Sequence, residues 1–136
     1  AREKELARDR RRLLAELARA EADSLAAEEA AFVSAHWGDR DLPFLQEVGK
    51  ALVERAPDRI ALLTAGRGAE GAFLLVAAES TGVDIQALGR EVCSILEGRG
   101  GGRAPFFQGR ADTIDRRKLA VETLRQLRPK CHQPHS

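Results

Sequence analysis

The chain has 136 residues, few cysteines and no long apolar run. Cys93 and Cys131 are too few for a disulfide framework, so we expect a protein of the reducing cytoplasm. No apolar stretch approaches the roughly 20 residues that span a bilayer, and no apolar segment follows the charged start. We therefore expect neither a membrane segment nor a signal peptide.

Motifs of catalytic sites are also scarce. No Gly-x-x-x-x-Gly-Lys-[Ser/Thr] phosphate loop occurs, and the Gly-x-Gly-x-x-Gly match at 66–71 falls between two predicted strands, where it indicates a turn. Ser34 and His36 share one strand face without an acidic partner, and Cys93 has no histidine close in sequence. We predict no catalytic residue and no cofactor.

Metal binding has one weak candidate, near the C-terminus. Cys131 and His135 have Cys-x-x-x-His spacing and His132 lies between them, but zinc needs three or four converging ligands. The remaining histidine, His36, is distant in sequence. We interpret residues 129–136 as a disordered tail and predict no metal site.

The net charge of +1 hides an uneven distribution. Residues 1–19 carry +3, residues 20–30 carry −4, residues 31–97 carry −4 and residues 98–136 carry +6. Because binding of a polyanion depends on the local field and not on total charge, the C-terminal third is the candidate for nucleic-acid contact.

Residues 2–29 contain no glycine or proline and are rich in strong helix formers. We predict a long helix over 1–30 that connects domains or mediates dimerisation. A narrow apolar seam predicts a homodimer through residues 2–29; it consists of Leu6, Leu13, Leu17, Ser24 and Ala27. A second row lies beside it and consists of Leu14, Ala18 and Leu25.

Residues 31–128 predict a small layered α/β (α+β) domain. Alternating or continuous apolar residues indicate strands at 31–37, 59–64, 72–78 and 106–111. Helical spacing indicates helices at 42–55, 84–97 and 114–127, with Asp41 and Asp84 as N-caps of the first two. The predicted order is a long helix followed by β-α-β-β-α-β-α.

The segment Gly-Arg-Gly-Gly-Gly-Arg at 98–103 is the most informative motif. We interpret it as a loop whose bare amides, next to guanidinium groups, suit a phosphate. The alternative is a permissive turn with solvated arginines. Phe106 and Phe107 follow; one of them stacks on a base, or both belong to the core.

This motif, with Phe-Gln-Gly-Arg-Ala at 107–111 and an apolar helix before it, resembles the DHHA1 domain. That domain closes alanyl-tRNA synthetases, related trans-editing proteins and DHH phosphoesterases. The resemblance extends over residues 31–127, and the preceding charged helix is similar to the connector of the synthetase and editing branches. The continuation at 107–111 is more similar to free-standing alanyl-tRNA editing proteins.

The resemblance implies a non-catalytic domain that binds tRNA, with tRNA(Ala) as the expected partner, while hydrolysis belongs to a separate editing domain. The His-x-x-x-His motif of that editing domain is absent. Two alternatives stay open, a substrate-binding domain of a phosphoesterase and a pure assembly module. In the phosphoesterase branch the glycine motif often ends in histidine, where this chain has Arg103. The predicted RNA contacts are Gly98, Arg99, Gly100, Gly101, Gly102, Arg103, Phe107, Gln108, Arg110, Arg116 and Arg117.

Overall fold

The structure is a computed structural model that describes residues 2–127. The helices are α1 (Arg2–Ala27), α2 (Leu42–Arg55), α3 (Ile85–Leu96) and α4 (Arg117–Leu127). The strands are β1 (Phe32–Trp37), β2 (Ile60–Ala65), β3 (Gly71–Ala77), β4 (Gly98–Arg103) and β5 (Phe106–Ala111). Short 3-10 turns at Glu79–Thr81 and Ile114–Arg116 precede α3 and α4.

The five strands form one mixed sheet in the order β1-β2-β3-β5-β4. β1 and β2 are parallel and are joined by α2, whereas the other neighbouring pairs are antiparallel. β4 therefore lies at one edge of the sheet, and its outer side pairs with no strand in the described part of the chain.

The two middle helices begin where the sequence places their caps. The Asp41 carboxylate accepts a hydrogen bond from the Phe44 amide, and the Asp84 carboxylate accepts from the amides of Gln86 and Ala87. Each cap satisfies main-chain donors that the first helical turn leaves without partners. These contacts explain why the bounds of α2 and α3 lie close to the predicted ones.

The central strands β2 and β3 are buried on both faces of the sheet, which produces two apolar cores. One core lies beneath α3 and α4 and includes Phe73 and Phe107. The other lies beneath α1 and α2 and includes Phe44 and Leu74. Strands covered on both sides read as nearly continuous apolar runs, as β2 and β3 do. The predicted layered α+β class is confirmed.

α1 has 26 residues and is about 39 Å long. Its C-terminal half packs on α2 through Ala18, Ala22 and Leu25, and Asp23 forms an ion pair with Arg55. The row that faces the domain is thus the second predicted row. Leucines of the predicted seam stay exposed, with relative exposures of 54% for Leu6, 55% for Leu13 and 49% for Leu17.

Two details differ from the prediction. Residues 98–103 form a strand instead of a loop, so the order after α1 is β-α-β-β-α-β-β-α. The closing helical segment is split into a 3-10 turn and α4. No helix within residues 2–127 combines the length and the apolar character needed to cross a bilayer.

Candidate nucleic-acid interface

The glycine-arginine motif is the edge strand β4, which pairs with β5 through a two-residue turn at Ala104 and Pro105. The peptide bond between these two residues is cis. The register pairs Arg99 with Arg110. This corrects the predicted loop, since the motif is an extended strand and its arginines have positions set by the pleat.

Most glycines of the motif are required by the close approach of β4 to β5. A Cβ at Gly98, Gly100 or Gly102 would collide with a main-chain carbonyl oxygen of β5. Gly101 is different, because a Cβ there would meet no atom within 4 Å. The packing of the chain therefore explains three of the four glycines, and Gly101 faces open space.

The arginines of the hairpin β4–β5 point to one face of the sheet. Side chains alternate along a strand, so Arg99, Gly101 and Arg103 share a face with their opposed partners on β5. This face continues the α2 side of the sheet, but α2 packs over β2 and β3 and leaves the arginines of the hairpin exposed. We call it the arginine face; its members are Arg99, Gly101, Arg103, Phe106, Gln108 and Arg110.

The three arginines of this face lack acidic partners. Arg99, Arg103 and Arg110 are exposed, and none of the ion pairs formed among residues 2–127 includes them. Glu97 and Asp112 border a shallow cavity beside Arg99 and Arg110, beyond ion-pair distance from either guanidinium group. The arginine face therefore presents positive charge to solvent.

A cavity of about 270 Å³ opens between α2 and the arginine face. Leu74 and Phe106 form its apolar part, and Lys50 stands at its rim. The Gln46 amide nitrogen donates a 3.0 Å hydrogen bond to the Gln108 side-chain oxygen, which leaves one amide oxygen and one amide nitrogen of the pair for a ligand. An apolar wall next to paired amide groups suits a planar ring with polar edges.

Phe107 and Gln108 are neighbours that the pleat sends to opposite faces. Phe107 is only 3% exposed and its ring stacks on Phe73, with 6.2 Å between the ring centroids. The structure therefore corrects the prediction that Phe107 contacts RNA. The partly exposed ring is that of Phe106, so one phenylalanine of the pair is accessible and the other is core.

Arg116 and Arg117 lie away from the arginine face. They stand where α4 begins, and Arg117 borders a cavity with Ser34, His36 and Thr64 on the opposite side of the sheet. The predicted basic set is therefore divided between two surfaces. Sequence reasoning could not separate them, since it contained no information on which face each segment covers.

Other candidate residues of the sequence carry little chemistry. Burial raises the pKa of the Cys93 thiol, with a smaller opposing effect from the Gly100 main chain, which favours the protonated thiol over the nucleophilic thiolate. Among residues 2–127, no three His, Cys, Asp or Glu side chains form a group able to hold a metal ion. Cys131, His132 and His135, and the predicted tail at 129–136, lie outside the described residues.

Two residues of the candidate interface could not be recognised from the sequence. Gln46 and Lys50 are polar positions of α2, separated by one helical turn, and they approach the arginine face only because α2 packs beside β3. Their spacing is that of an ordinary solvent-facing helix side.

Two of three comparisons with known proteins found a similar protein or structure. No model of a known protein family matches the chain. The mitochondrial alanine–tRNA ligase of Saccharomyces cerevisiae is 40% identical over 62 residues, which are 46% of this chain and 6% of the ligase. The chain thus spans a small part of that relative's length.

A solved structure shares the fold. The C-Ala domain of Aquifex aeolicus alanyl-tRNA synthetase superposes with a TM-score of 0.66 at 23% sequence identity. The match covers 71% of this chain and 89% of that domain. At this identity the likeness establishes a common fold.

Proposed function

We propose that this chain is a non-catalytic accessory domain that binds tRNA for an alanyl-tRNA synthetase or a related editing protein. The shared fold with the C-Ala domain and the 40% identity to part of an alanine–tRNA ligase support this assignment. The observation that carries it is the arginine face, where three guanidinium groups without acidic partners border a cavity with an apolar wall.

Arg99, Arg103 and Arg110 bind phosphates of the RNA backbone. Guanidinium groups donate two parallel hydrogen bonds to a phosphate, and this contact strengthens when the cation has no competing carboxylate. Gly101 lies between Arg99 and Arg103 along β4, and its missing side chain lets the sugar-phosphate backbone approach the strand.

The cavity next to the arginine face accepts an unpaired base of the bound RNA. The Phe106 ring and Leu74 provide the apolar contact, and the free amide groups of Gln46 and Gln108 reach the polar edge of the base. Stacking and backbone contacts together are the usual means by which proteins bind single-stranded nucleic acid. We therefore place the contact at a loop or another unpaired part of the tRNA.

The rest of the proposal concerns the parent protein. Residues 31–128 form a DHHA1-type domain of an editing protein in this proposal, and that protein acts on tRNA(Ala) in the cytoplasm. The motifs at 98–103 and 107–111 support the assignment. The catalytic centre belongs to another domain of that protein, a deacylase or a ligase. The chain itself increases the effective concentration of tRNA near that centre.

We also propose that α1 mediates dimerisation with a second copy. The N-terminal part, residues 2–12, carries six basic and three acidic side chains, whereas residues 13–27 carry one basic and three acidic. An antiparallel pair of α1 helices places the basic part of each copy against the acidic part of the other. The exposed leucines at 6, 13 and 17 form the contact.

Titration of the chain with tRNA at several salt concentrations tests the proposal. Each phosphate contact contributes about 0.7–0.9 to the slope of log K against log salt concentration. The double variant Arg99→Gln/Arg103→Gln lowers the slope by about twice that amount if both arginines bind phosphate. The double variant Arg67→Gln/Arg90→Gln is the matched control, because it removes the same charge from exposed positions outside the arginine face.

Equal slopes for the two double variants would contradict the assignment of the arginine face. Absence of binding by the unaltered chain at low salt would contradict RNA binding itself. A variant that fills the cavity, Gln108→Trp, tests the base contact separately. Its affinity falls while its salt slope stays that of the unaltered chain.

A further inference from the structure

A second cluster of polar and cationic side chains lies on the opposite face of the sheet. Of the strand pairs in the described chain, only β1 and β2 run parallel, and their carboxyl ends carry Ser34, His36 and Thr64 on one face. The earlier positions of that face are apolar, as Phe32 and Leu62 show. Ligands of parallel strands commonly bind beyond the carboxyl ends, where these polar residues stand.

A cavity of about 430 Å³ opens above these side chains. α4 forms its other wall with one apolar, one acidic and three basic residues. They are Arg117, Lys118, Val121, Glu122 and Arg125. The wall therefore supplies more positive than negative charge, while the strand side supplies hydroxyl and imidazole groups.

The single acid of the wall is already engaged. Glu122 forms an ion pair with Arg125, with 3.8 Å between the charged atoms. Arg117 donates a 3.4 Å hydrogen bond to the Ile114 carbonyl oxygen, and neither Arg117 nor Lys118 has an acidic partner within residues 2–127. Two cations at the start of α4 thus line the cavity without a carboxylate partner among the described residues.

The floor of the cavity is held in place by a short chain of hydrogen bonds. Thr64 is only 2% exposed, and its hydroxyl donates to the Ala35 carbonyl oxygen at 3.3 Å. Since its hydrogen is used there, the hydroxyl accepts a 2.9 Å hydrogen bond from His36 Nδ1. The imidazole is therefore held in a fixed orientation, and Ser34 adds a hydroxyl to the same cavity.

We infer that this cavity binds a phosphate group, with Arg117 and Lys118 as its charge partners and the Ser34 hydroxyl as a further donor. A guanidinium and an ammonium group match the two negative charges of a phosphate monoester. The apolar residues of the lining are Ala35 and Val121, and the other seven are polar or charged, so an apolar ligand gains little there. The site is separate from the arginine face, because the sheet lies between the two.

The phosphate belongs either to a free nucleotide or to the end of an RNA chain, and the probes distinguish these sources. We suggest titrating the full chain with inorganic phosphate, AMP, and one RNA oligomer with and without a 5′-phosphate. The readout is the NMR titration of the His36 imidazole. Burial, and then the charge of Arg117, lower the pKa of His36, and a contact with the Gly66 main chain opposes this. A bound phosphate raises the pKa of His36, because it offsets the Arg117 charge.

The variants provide the decisive comparison. Arg117→Gln/Lys118→Gln weakens phosphate binding at least tenfold, whereas Arg116→Gln leaves it unchanged. Arg116 is the matched control because it is exposed, adjacent in sequence and outside the cavity lining. Arg99→Gln/Arg103→Gln, which disables the arginine face, also leaves phosphate binding unchanged.

The outcomes of these titrations either support the inferred phosphate site or overturn it. A response to inorganic phosphate and AMP identifies a free phosphate ligand, and a response only to the 5′-phosphorylated oligomer identifies an RNA end. The inference is overturned if no probe changes the His36 titration. It is also overturned if Arg116→Gln weakens binding as much as the double variant does, or if the loss follows Arg99→Gln/Arg103→Gln. The last result would still leave RNA binding at the arginine face intact.

Discussion

Arg99 and Arg110 occupy directly opposed positions on β4 and β5, with both side chains on the uncovered face of the sheet. Like charges at opposed positions of an antiparallel pair destabilise the pair. No carboxylate within residues 2–127 forms an ion pair with either arginine. An anionic ligand between them would convert this repulsion into two attractions, which is the physical basis of the proposed RNA contact.

The first prediction is that Arg99→Glu stabilises the fold while it weakens RNA binding. The substitution replaces the repulsion across the strands by an ion pair with Arg110, so the free energy of unfolding rises by about 0.5 kcal/mol. Urea denaturation and RNA titration of the same sample measure both effects. Arg90→Glu makes the same charge change at an exposed position of α3 and isolates the contribution of the site. A loss of stability on Arg99→Glu would argue against the opposed pair.

The second prediction separates Gly101 from its neighbour Gly100. Gly101→Ala raises the free energy of unfolding by about 0.5–1 kcal/mol, because the position has open space and alanine loses less entropy on folding. Gly100→Ala lowers it by about 1–3 kcal/mol, because the new methyl group collides with the Gln108 carbonyl oxygen. Denaturant titrations of both variants provide the measurement.

Gly101→Ala also reports on the approach of the RNA. If the backbone of the ligand rests on the strand at this point, the added methyl group reduces affinity in a chain that is more stable than the original. Unchanged affinity would place the ligand on the arginine side chains alone, without main-chain contact.

The third prediction concerns α1. Leu13→Gln/Leu17→Gln shifts the chain from dimer to monomer in sedimentation velocity, because these side chains are about half exposed and lie outside both apolar cores. Leu119→Gln removes an equally exposed leucine from α4 and keeps the dimer. The dimer weakens as salt increases, since salt screens the opposed charges of the two helices. A monomeric unaltered chain would rule out the proposed pair.

The fourth prediction is a dependence of stability on pH that originates at His36. Its pKa is lowered from 6.5 in the folded chain, by burial and by Arg117. The folded state therefore binds the proton more weakly than the unfolded state does, so the contribution of neutral His36 is present above pH 6.5 and declines as pH falls. Arg117→Gln raises the pKa of His36 and reduces the loss, as NMR titration and denaturation at several pH values will show.

The sequence predicted those parts of the fold that local signals determine. Asp41 and Asp84 followed by helical apolar spacing predict α2 and α3, and both helices are present. Strand β4 was missed because glycine has low strand propensity and no side chain to reveal alternation. Its extended form depends on β5 and α3, which are contacts between segments and not properties of the motif.

The same limit applies to the interface. Arg99, Arg103, Arg110 and Gln108 are brought to one face by a register that links two strands. Phe106 and Phe107 are equivalent in composition, and only the register decides which of them reaches the core. In α1 both apolar rows have helical spacing, and only the packing of α1 on α2 decides which row is buried.

Because side chains alternate along β4, the number of residues between its two arginines decides whether both lie on the same face. Arg99 and Arg103 are four residues apart, so they share a side and are separated by about 13 Å along the strand. One inserted or deleted residue between them would turn Arg103 toward α3 and leave a single arginine on the outside. Two inserted residues would restore the side and lengthen the gap between charges by half. In this chain the number of glycines between the arginines therefore determines how many arginines the outer face of the sheet presents, which the amino-acid composition of the motif does not.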